Sequence, residues 1–349
     1  MTFYQELQLN AAGSKMLIRQ SQSSADRQRH LAIYLFKVVL TLAFCVAFVS
    51  LFSFLFGNEN SVAGVAVLLF IMVFRQADLG MRVKDSTVAL LIIFMILIGG
   101  PKLANMLPLF PGFLVNGLCV FAMVFIGCHN LLMCNHATFL ISYFLLWGND
   151  VSGKAFVMRA SGLLAGGLVT ALIFYHTHRQ RVYKRGLLDV IREFRPESVR
   201  GSWQIRMALG ISLGVLIAQL AGLPRPMWVA FAVMSLLQPM TGDTPQRIKL
   251  RIPGTLAGGA LFILLSLCIP ESAQGILGLI GGLCIGFCAN YGWQTVFNSF
   301  GALYSALGVY GPVQAVIIRY CTNILGAAYV LLFEKMMCRF WSRLYRRKA

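Results

Sequence analysis

Acidic residues are scarce in this sequence: Asp and Glu together number 12 among 349 residues, against 30 Lys and Arg. Charged residues amount to 12% of the chain, about half the fraction typical of soluble globular domains. Cys-x-x-Cys pairs are absent, and most of the nine cysteines lie in apolar runs, which favours packing over a metal site or a disulfide. No carboxylate pair, metal-ligand set or nucleophile–base constellation stands out, so the sequence predicts neither an enzyme nor a cofactor.

Long apolar runs make up most of the chain. Apolar residues account for 58% of the sequence, the mean hydropathy is +0.73, and Ser86–Gly100 and Phe113–Cys128 contain no charged residue. We therefore predict an all-α integral membrane protein of about 12 transmembrane helices, each needing roughly 17–25 apolar residues, with no signal peptide removed. The predicted spans are 31–56, 61–75, 86–100, 112–128, 137–148, 157–175, 206–222, 226–238, 253–269, 275–290, 295–310 and 314–333.

The distribution of positive charge predicts the topology. If the N-terminus is cytoplasmic, the cytoplasmic segments hold 24 of the 30 Lys and Arg residues, as the positive-inside rule requires. The outer loops hold only Lys102, Lys154 and Arg225. We therefore predict a multi-pass protein of a bacterial-type inner membrane with both termini cytoplasmic. Contact with the anionic lipid bilayer accounts for the basic surplus, so no nucleic-acid partner is predicted.

The chain is predicted to consist of two parallel six-helix repeats. Arg159 precedes Gly166 by seven residues, and Arg319 precedes Gly326 by the same interval. Six spans per half is an even number, so the repeats would share one orientation. The predicted parts are a cytoplasmic segment 1–30, a first repeat 31–176, an amphipathic linker 177–205, a second repeat 206–334 and a basic cytoplasmic tail 335–349. Apolar residues recur at helical spacing in the linker, at Leu187, Leu188, Ile191 and Phe194.

Charged residues inside the predicted spans indicate the kind of solute. Lys37, Arg159 and Arg319 lie within spans, whereas no Asp or Glu does. A charge in hydrocarbon is costly and faces the bundle interior or a water-filled cavity, so a basic pathway without acids favours anions. The alternative is that these long side chains extend to the nearby membrane surface.

Interrupted spans indicate where a pathway would lie. Pro239 follows Gln238 at the end of span 8 and should break that helix, because proline removes a backbone donor. Transporters often bind their solutes at such breaks, so we predict a central pathway among spans 2, 5, 8 and 11. The glycines of Gly254–Gly259 and Gly162–Gly167 are interpreted as helix-packing positions. His129, between spans 4 and 5, is either an interfacial residue or part of a proton-exchange route.

One stretch carries a more specific pattern. Residues 228–258 read WVAFAVMSLLQPMTGDTPQRIKLRIPGTLAG: a Trp-led helix, Gln-Pro, a Gly and Thr turn, two arginines and Gly-Thr-x-x-Gly. This pattern resembles the fusaric acid resistance (FUSC) family, which includes aromatic acid exporters of the p-hydroxybenzoate efflux pump type. Plant aluminium-activated malate transporters are more distantly similar. Many of these exporters carry a sizeable cytoplasmic domain between their halves, where this chain has only a short linker.

The resemblance implies efflux of aromatic or other carboxylates by a homodimer, with a periplasmic adaptor protein as a further candidate partner. We therefore expect a transporter that exports small organic anions, driven by the proton gradient. A passive anion channel and a membrane scaffold or assembly factor are the alternatives. The predicted substrate-binding residues are Gln238, Thr241, Arg247, Arg251, Thr255, Arg159, Arg319 and Gln76.

Overall fold

The computed structural model describes the backbone of residues 2–346 and the side chains up to residue 340. The described chain consists of α-helices joined by loops and short 3-10 turns, so the predicted all-α class is confirmed. The end of the predicted basic tail, residues 347–349, lies outside the described residues. The helices are α1 (Phe3–Gln8), α2 (Ala11–Gln20), α3 (Ser24–Phe56), α4 (Ser61–Phe74), α5 (Val83–Met106), α6 (Leu109–Gly127), α7 (Asn135–Gly148), α8 (Gly153–His178), α9 (Leu187–Arg192), α10 (Val199–Leu220), α11 (Met227–Leu236), α12 (Thr244–Cys268), α13 (Gly275–Gly286) and α14 (Tyr291–Arg346).

Every predicted span coincides with helix, but the helices differ in whether they could cross a bilayer alone. Seven segments of the described chain are long and apolar enough by length and composition. The twelve crossings, the parallel repeats and the cytoplasmic termini therefore remain predictions. The seven are Ser24–Phe56, Val83–Met106, Leu109–Gly127, Gly153–His178, Val199–Leu220, Thr241–Cys268 and Tyr291–Phe340.

The last two predicted spans form one helical run, α14, which is broken at Gly311. Gly311 has φ 70° and ψ 171°, a conformation that glycine adopts without the steric penalty of a side chain. Pro312 can begin the following helix because its fixed φ is helical and the first turn needs no N–H from it. The break thus falls between the predicted spans 295–310 and 314–333.

The predicted amphipathic linker is less helical than its sequence spacing suggests. Helix α9 has only six residues, and α10 begins at Val199, earlier than the predicted start at residue 206. Leu188 and Ile191 are exposed, whereas Val190 is buried. Phe194 packs edge-on against Phe125, with ring centroids 5.2 Å apart. Phe194 of the predicted apolar face therefore makes a tertiary contact, whereas Leu188 and Ile191 are exposed and Val190, outside that face, is buried.

The chain divides into two compact units. Unit I contains the chain up to Ala47 together with Ile248–Cys321, and unit II contains Phe48–Arg247 and the chain from Thr322 onward. The boundaries between the units fall inside α3, α12 and α14.

Unit II is a helical bundle whose inner helix is α5, which contacts α6, α7 and α8. Helix α4 packs on α7 and α8, and α10 packs on α6 and α11. Glycines allow two of these approaches: a Cβ at Gly166 would overlap Val67, and one at Gly167 would lie 2.8 Å from the Phe94 ring. The packing interpretation of these glycines is confirmed.

Unit I also uses glycines at its helix contacts. Helix α13 lies against α3, where a Cβ at Gly286 would come within 2.6 Å of Val38. Helix α12 lies so close to α14 that a Cβ at Gly258 would overlap the carbonyl oxygen of Val296. Tyr320 of α14 donates a 2.6 Å hydrogen bond from its hydroxyl to the Leu256 carbonyl of α12. These contacts fix α12 and α14 within unit I, where the two helices carry three of the predicted site residues, Arg251, Thr255 and Arg319.

We expect Gly258→Ala to destabilise unit I, because the new methyl group would overlap backbone that cannot rotate away. The free energy of unfolding should fall by about 1–3 kcal/mol, the usual cost of overpacking. Gly301→Ala is the matched control, since a Cβ at this helical glycine would meet nothing within 4 Å. Chemical unfolding in detergent, followed by circular dichroism, measures both variants. Equal stabilities would contradict the close approach of α12 and α14.

Candidate functional site

In unit II, the Gln-Pro turn that follows α11 is held by side chains from the surrounding helices. A helix end leaves its last carbonyls without backbone donors, and Pro239 supplies no N–H. Here five consecutive carbonyl oxygens each accept a hydrogen bond from a side chain. Gln238 Nε2 donates to Ser235, Thr244 Oγ1 to Leu236, Trp203 Nε1 to Leu237, and Arg206 Nη2 to both Gln238 and Pro239.

Arg206 is the centre of this arrangement. Its Nη1 donates to Glu334 Oε1 at 2.9 Å, and the two side chains are 4% and 10% exposed. Arg206 lies at the start of the predicted span 206–222, and Glu334 directly follows the predicted span 314–333, so neither is a predicted site residue. The structure buries both in the helical bundle, so an acidic side chain does lie inside a membrane-type helix. Their opposite charges at the same predicted level of the membrane were the signal in the sequence.

We expect Arg206→Met to destabilise unit II strongly, because it leaves Glu334 buried without its partner and two carbonyls without donors. Removing one partner of a buried pair costs about 3–5 kcal/mol. Arg82→Met is the matched control. Arg82 Nε lies 2.8 Å from Asp85 Oδ2, close to the 2.9 Å of the buried pair, but the Arg82 side chain is 60% exposed. Exposed pairs contribute about 0–1 kcal/mol to the free energy of unfolding. A similar loss of unfolding free energy in both variants would contradict the role of Arg206.

The predicted site residues at the Gln-Pro turn and the start of α12 are Gln238, Thr241 and Arg247. Gln238 uses its amide nitrogen on the turn itself. Thr241 is exposed in the 3-10 turn that precedes α12. Arg247 is half-buried and acts electrostatically on His136. These three residues belong to unit II and surround the start of α12, so their role in substrate binding stays a prediction.

The two predicted site residues of the first half also lie in unit II, and they are well separated in the chain. Arg159 is 4% exposed and donates to Asn60 Oδ1, the Asn149 carbonyl and the Glu59 carbonyl at 2.9, 2.6 and 3.2 Å. It therefore ties the start of α8 to two loops. Gln76 is exposed, and its carbonyl oxygen lies 3.4 Å from His178 Nε2. Their predicted contact with substrate is untested.

Arg251, Thr255 and Arg319 come together in unit I, on α12 and α14. Arg251 and Thr255 are one helical turn apart and share a face of α12. Arg319 belongs to the part of α14 that packs on this helix, and Arg251 acts on it electrostatically. Tyr291, at the start of α14, completes the group: its hydroxyl lies 3.3 Å from Arg251 Nη1, which donates to it. We call these four residues the basic cluster.

The basic cluster is buried and carries two positive charges. Arg251, Thr255 and Arg319 are 7%, 2% and 5% exposed. The hydroxyl oxygen of Thr255 has no hydrogen-bond partner among the described residues. Residues 248–321 contain a single acidic residue, Glu271, which lies in the turn between α12 and α13. Two guanidinium groups and polar hydroxyls in an apolar surrounding favour the approach of an anion.

Three members of the basic cluster are predicted site residues, but their association does not follow from the sequence. Arg319 was interpreted either as a site residue or as a side chain extending to the membrane surface. Its side chain is buried beside α12, and its role in a site stays a prediction. Tyr291 was not predicted, because nothing in the sequence indicates that its hydroxyl meets an arginine 40 positions earlier.

A match to a known family covers much of the second half of the chain. Residues 213–333 match the family described as fusaric acid resistance protein-like. The resemblance to the fusaric acid resistance family is confirmed. The match includes the basic cluster and the Gln-Pro turn, but it excludes Gln76 and Arg159, and it also excludes Arg206 and Glu334, which hold the turn.

The chain is also similar to inner membrane protein YccS of Escherichia coli (strain K12), with 26% identity over 151 residues. The aligned part is 43% of this chain and 19% of that relative, so the chain matches only a small part of the relative's length. No solved structure matches the chain.

His129, outside the family match, lies in the loop between α6 and α7 of unit II. Arg200 Nη1 lies 2.6 Å from its Nδ1, and Glu193 lies 3.9 Å from its Nε2. Burial lowers the pKa of His129 below 6.5, and the positive charges of Arg200 and Arg185 lower it further, while Glu193 opposes them. The imidazole is therefore held neutral, so that it can accept a hydrogen bond from Arg200. A part in proton exchange stays untested.

We expect the thermal midpoint of unfolding to fall as the pH decreases below 6.5. The folded-state pKa of His129 is lowered, so the unfolded chain takes up the proton first and stability is lost as the pH falls. In His129→Gln the decrease should be smaller, because the titrating group is absent. His176→Gln, which removes an exposed histidine, is the control. Identical pH profiles for wild type and His129→Gln would contradict this account.

Proposed function

We propose that this protein transports small organic carboxylate anions across a bacterial-type inner membrane, outward from the cytoplasm. The observation that carries the proposal is the basic cluster: two buried arginines with hydroxyl groups on α12 and α14. The membrane setting is supported by the seven apolar helices and by the similarity to a protein named as an inner membrane protein. The family match over the cluster is supporting information, since its description names resistance to an organic acid.

An organic carboxylate fits the chemistry of the basic cluster. Guanidinium groups bind carboxylates with two parallel hydrogen bonds, which gives orientation as well as affinity. The Thr255 hydroxyl can donate a further hydrogen bond from a position one helical turn away. An anion between Arg251 and Arg319 would offset the repulsion between these like charges.

Broken helices next to the cluster support a transport route. Gly311 interrupts α14 before Arg319, and Pro312 cannot donate to the carbonyl oxygen of Gly308. Carbonyl groups at such breaks are tolerated inside a membrane where they line a cavity or are satisfied by protein. We place the pathway along α12 and α14 of unit I, which keeps span 11 of the pathway predicted from the sequence but not spans 2, 5 and 8. The homodimer, the twelve crossings and the cytoplasmic termini are parts of the same proposal.

A passive anion channel is the second candidate. Coupling to protons usually requires Asp, Glu or His along the route. In residues 248–321 the only such side chain is Glu271, in the turn between two helices. A route confined to this stretch would therefore conduct anions without exchanging protons.

The test is flux of benzoate and of malate in proteoliposomes, with a proton gradient or a membrane potential imposed separately. Arg251→Gln and Arg319→Gln should each reduce flux by about 10–100-fold, the equivalent of losing a charge-assisted hydrogen bond. Arg27→Gln, which removes an exposed charge near the N-terminus, should leave flux unchanged. Measuring Arg247→Ala in the same assay tests the predicted role of that residue.

The driving force distinguishes the two candidates. Flux that responds to the proton gradient supports the coupled exporter, whereas flux that follows voltage alone supports the channel. If correctly folded protein moves neither anion, both transport proposals fail. A membrane scaffold would then be the remaining alternative, and co-purification with an envelope partner would be its test.

A further inference from the structure

Unit I contains a large cavity that sequence analysis did not predict. It measures about 870 Å³ and lies between α2 and the turn that joins α13 to α14. One wall is formed by Lys15 and Arg19 of α2. The facing wall contains Phe287, Trp293 and Phe297. The cavity is thus basic on one side and aromatic on the other.

The two basic side chains are positioned by their helix. Lys15 and Arg19 are one helical turn apart and therefore point to the same side of α2. Lys37 fixes this helix, because its Nζ donates to Ser14 Oγ at 2.6 Å and to the Leu9 carbonyl at 2.9 Å. Neither Lys15 nor Arg19 makes a hydrogen bond or an ion pair within the described residues. Both charges are available to a ligand in the cavity.

The aromatic wall is equally well defined. Trp293 and Phe297 lie one turn apart on α14 and stack with centroids 6.4 Å apart and planes 19° apart. Phe287 is held edge-on by the Tyr34 ring at 5.2 Å. Three aromatic rings facing two cations suit an amphiphilic ligand. Its anionic group would contact Lys15 and Arg19 of α2, and its apolar body would lie along the rings.

The surroundings favour an anion over a cation. The residues that line the cavity include no Asp or Glu. Helix α14 also begins there: Asn290 accepts from Gly292 N at 2.8 Å, and Tyr291 is the first helical residue. The positive end of a helix dipole adds to the potential of the two basic side chains.

The cavity adjoins the basic cluster through the start of α14. Asn290 and Trp293 line the cavity, while Tyr291, between them, contacts Arg251. We propose that this cavity is a second anion-binding site, which holds an amphiphilic carboxylate before it reaches the basic cluster. The inference rests on the proposed anion transport but concerns a separate binding step, with its own residues and its own readout.

Binding can be measured without transport, because Trp293 lies in the wall and is 62% exposed. In detergent-solubilised full-length protein, 1-naphthoate should quench tryptophan fluorescence. Trp293→Phe should lose that signal while keeping an aromatic wall.

Lys15→Gln/Arg19→Gln should weaken binding by about tenfold or more, as expected for the loss of charge-assisted contacts. Arg27→Gln/Arg192→Gln removes the same charge at exposed positions and should bind normally. Acetate and 1-naphthalenemethanol, which lack the apolar body and the charge respectively, should not compete.

The outcomes separate this inference from the transport proposal. Arg251→Gln should reduce flux by about 10–100-fold yet leave naphthoate binding intact. Lys15→Gln/Arg19→Gln should instead raise the apparent KM for flux without lowering the maximal rate. Equal quenching in wild type and Lys15→Gln/Arg19→Gln would overturn the second site even if transport is normal. Displacement of naphthoate by phosphatidylglycerol in nanodiscs, with no effect of the double variant on flux, would also overturn it and assign the cavity to a lipid headgroup. Quenching that depends on Lys15 and Arg19 in a protein that moves no anion would leave a binding site but remove its role in transport.

Discussion

Satisfying backbone carbonyls within apolar surroundings is the constraint on which unit II depends. The broken end of α11 leaves five consecutive carbonyl oxygens that water cannot reach freely, and side chains from α10, α12 and the turn itself supply the donors. Arg206 accounts for two of them and is in turn fixed by Glu334. Arg206 donates hydrogen bonds both to the turn and to Glu334 of α14, and Thr244 at the start of α12 donates to the turn as well. These three parts of the chain therefore form one hydrogen-bonded assembly. The Gln-Pro pattern therefore has a structural role in holding these helices together, independent of any contact with a solute.

Helix positions were predictable because they follow from local properties. Apolar runs, a proline after Gln238 and a glycine before Pro312 act through the residues nearest to them, so all twelve predicted spans coincide with helix. Burial in the linker was not predictable in the same way. Leu188, Ile191 and Phe194 share the spacing of an amphipathic face, yet Leu188 and Ile191 are exposed and Val190 is buried. Phe194 packs on Phe125, which lies on a helix far away in the sequence.

The predicted site residues show the same difference between what local sequence determines and what tertiary contacts determine. A charge inside an apolar run marks Arg159 and Arg319 as unusual, but only the tertiary contacts distinguish their environments. Arg159 donates to three oxygen acceptors at the ends of neighbouring helices. Arg319 instead lies near a second arginine, on a stretch of chain that has almost no acidic residues. Two positions that match in sequence thus differ in electrostatic environment, and our proposed anion site includes the second.

The discontinuity of unit I has a consequence for biosynthesis. Its first part ends at Ala47 and its second part begins at Ile248, so about 200 residues must be made before the two can meet, a delay of roughly 10–40 s at typical rates of translation. Most of unit II is contiguous and can assemble during that interval. The N-terminal helices must meanwhile persist without the partners that later cover them. Buried Glu6, bound by His30 at 2.7 Å within the first 30 residues, gives the nascent segment a local contact that does not depend on the rest of the chain.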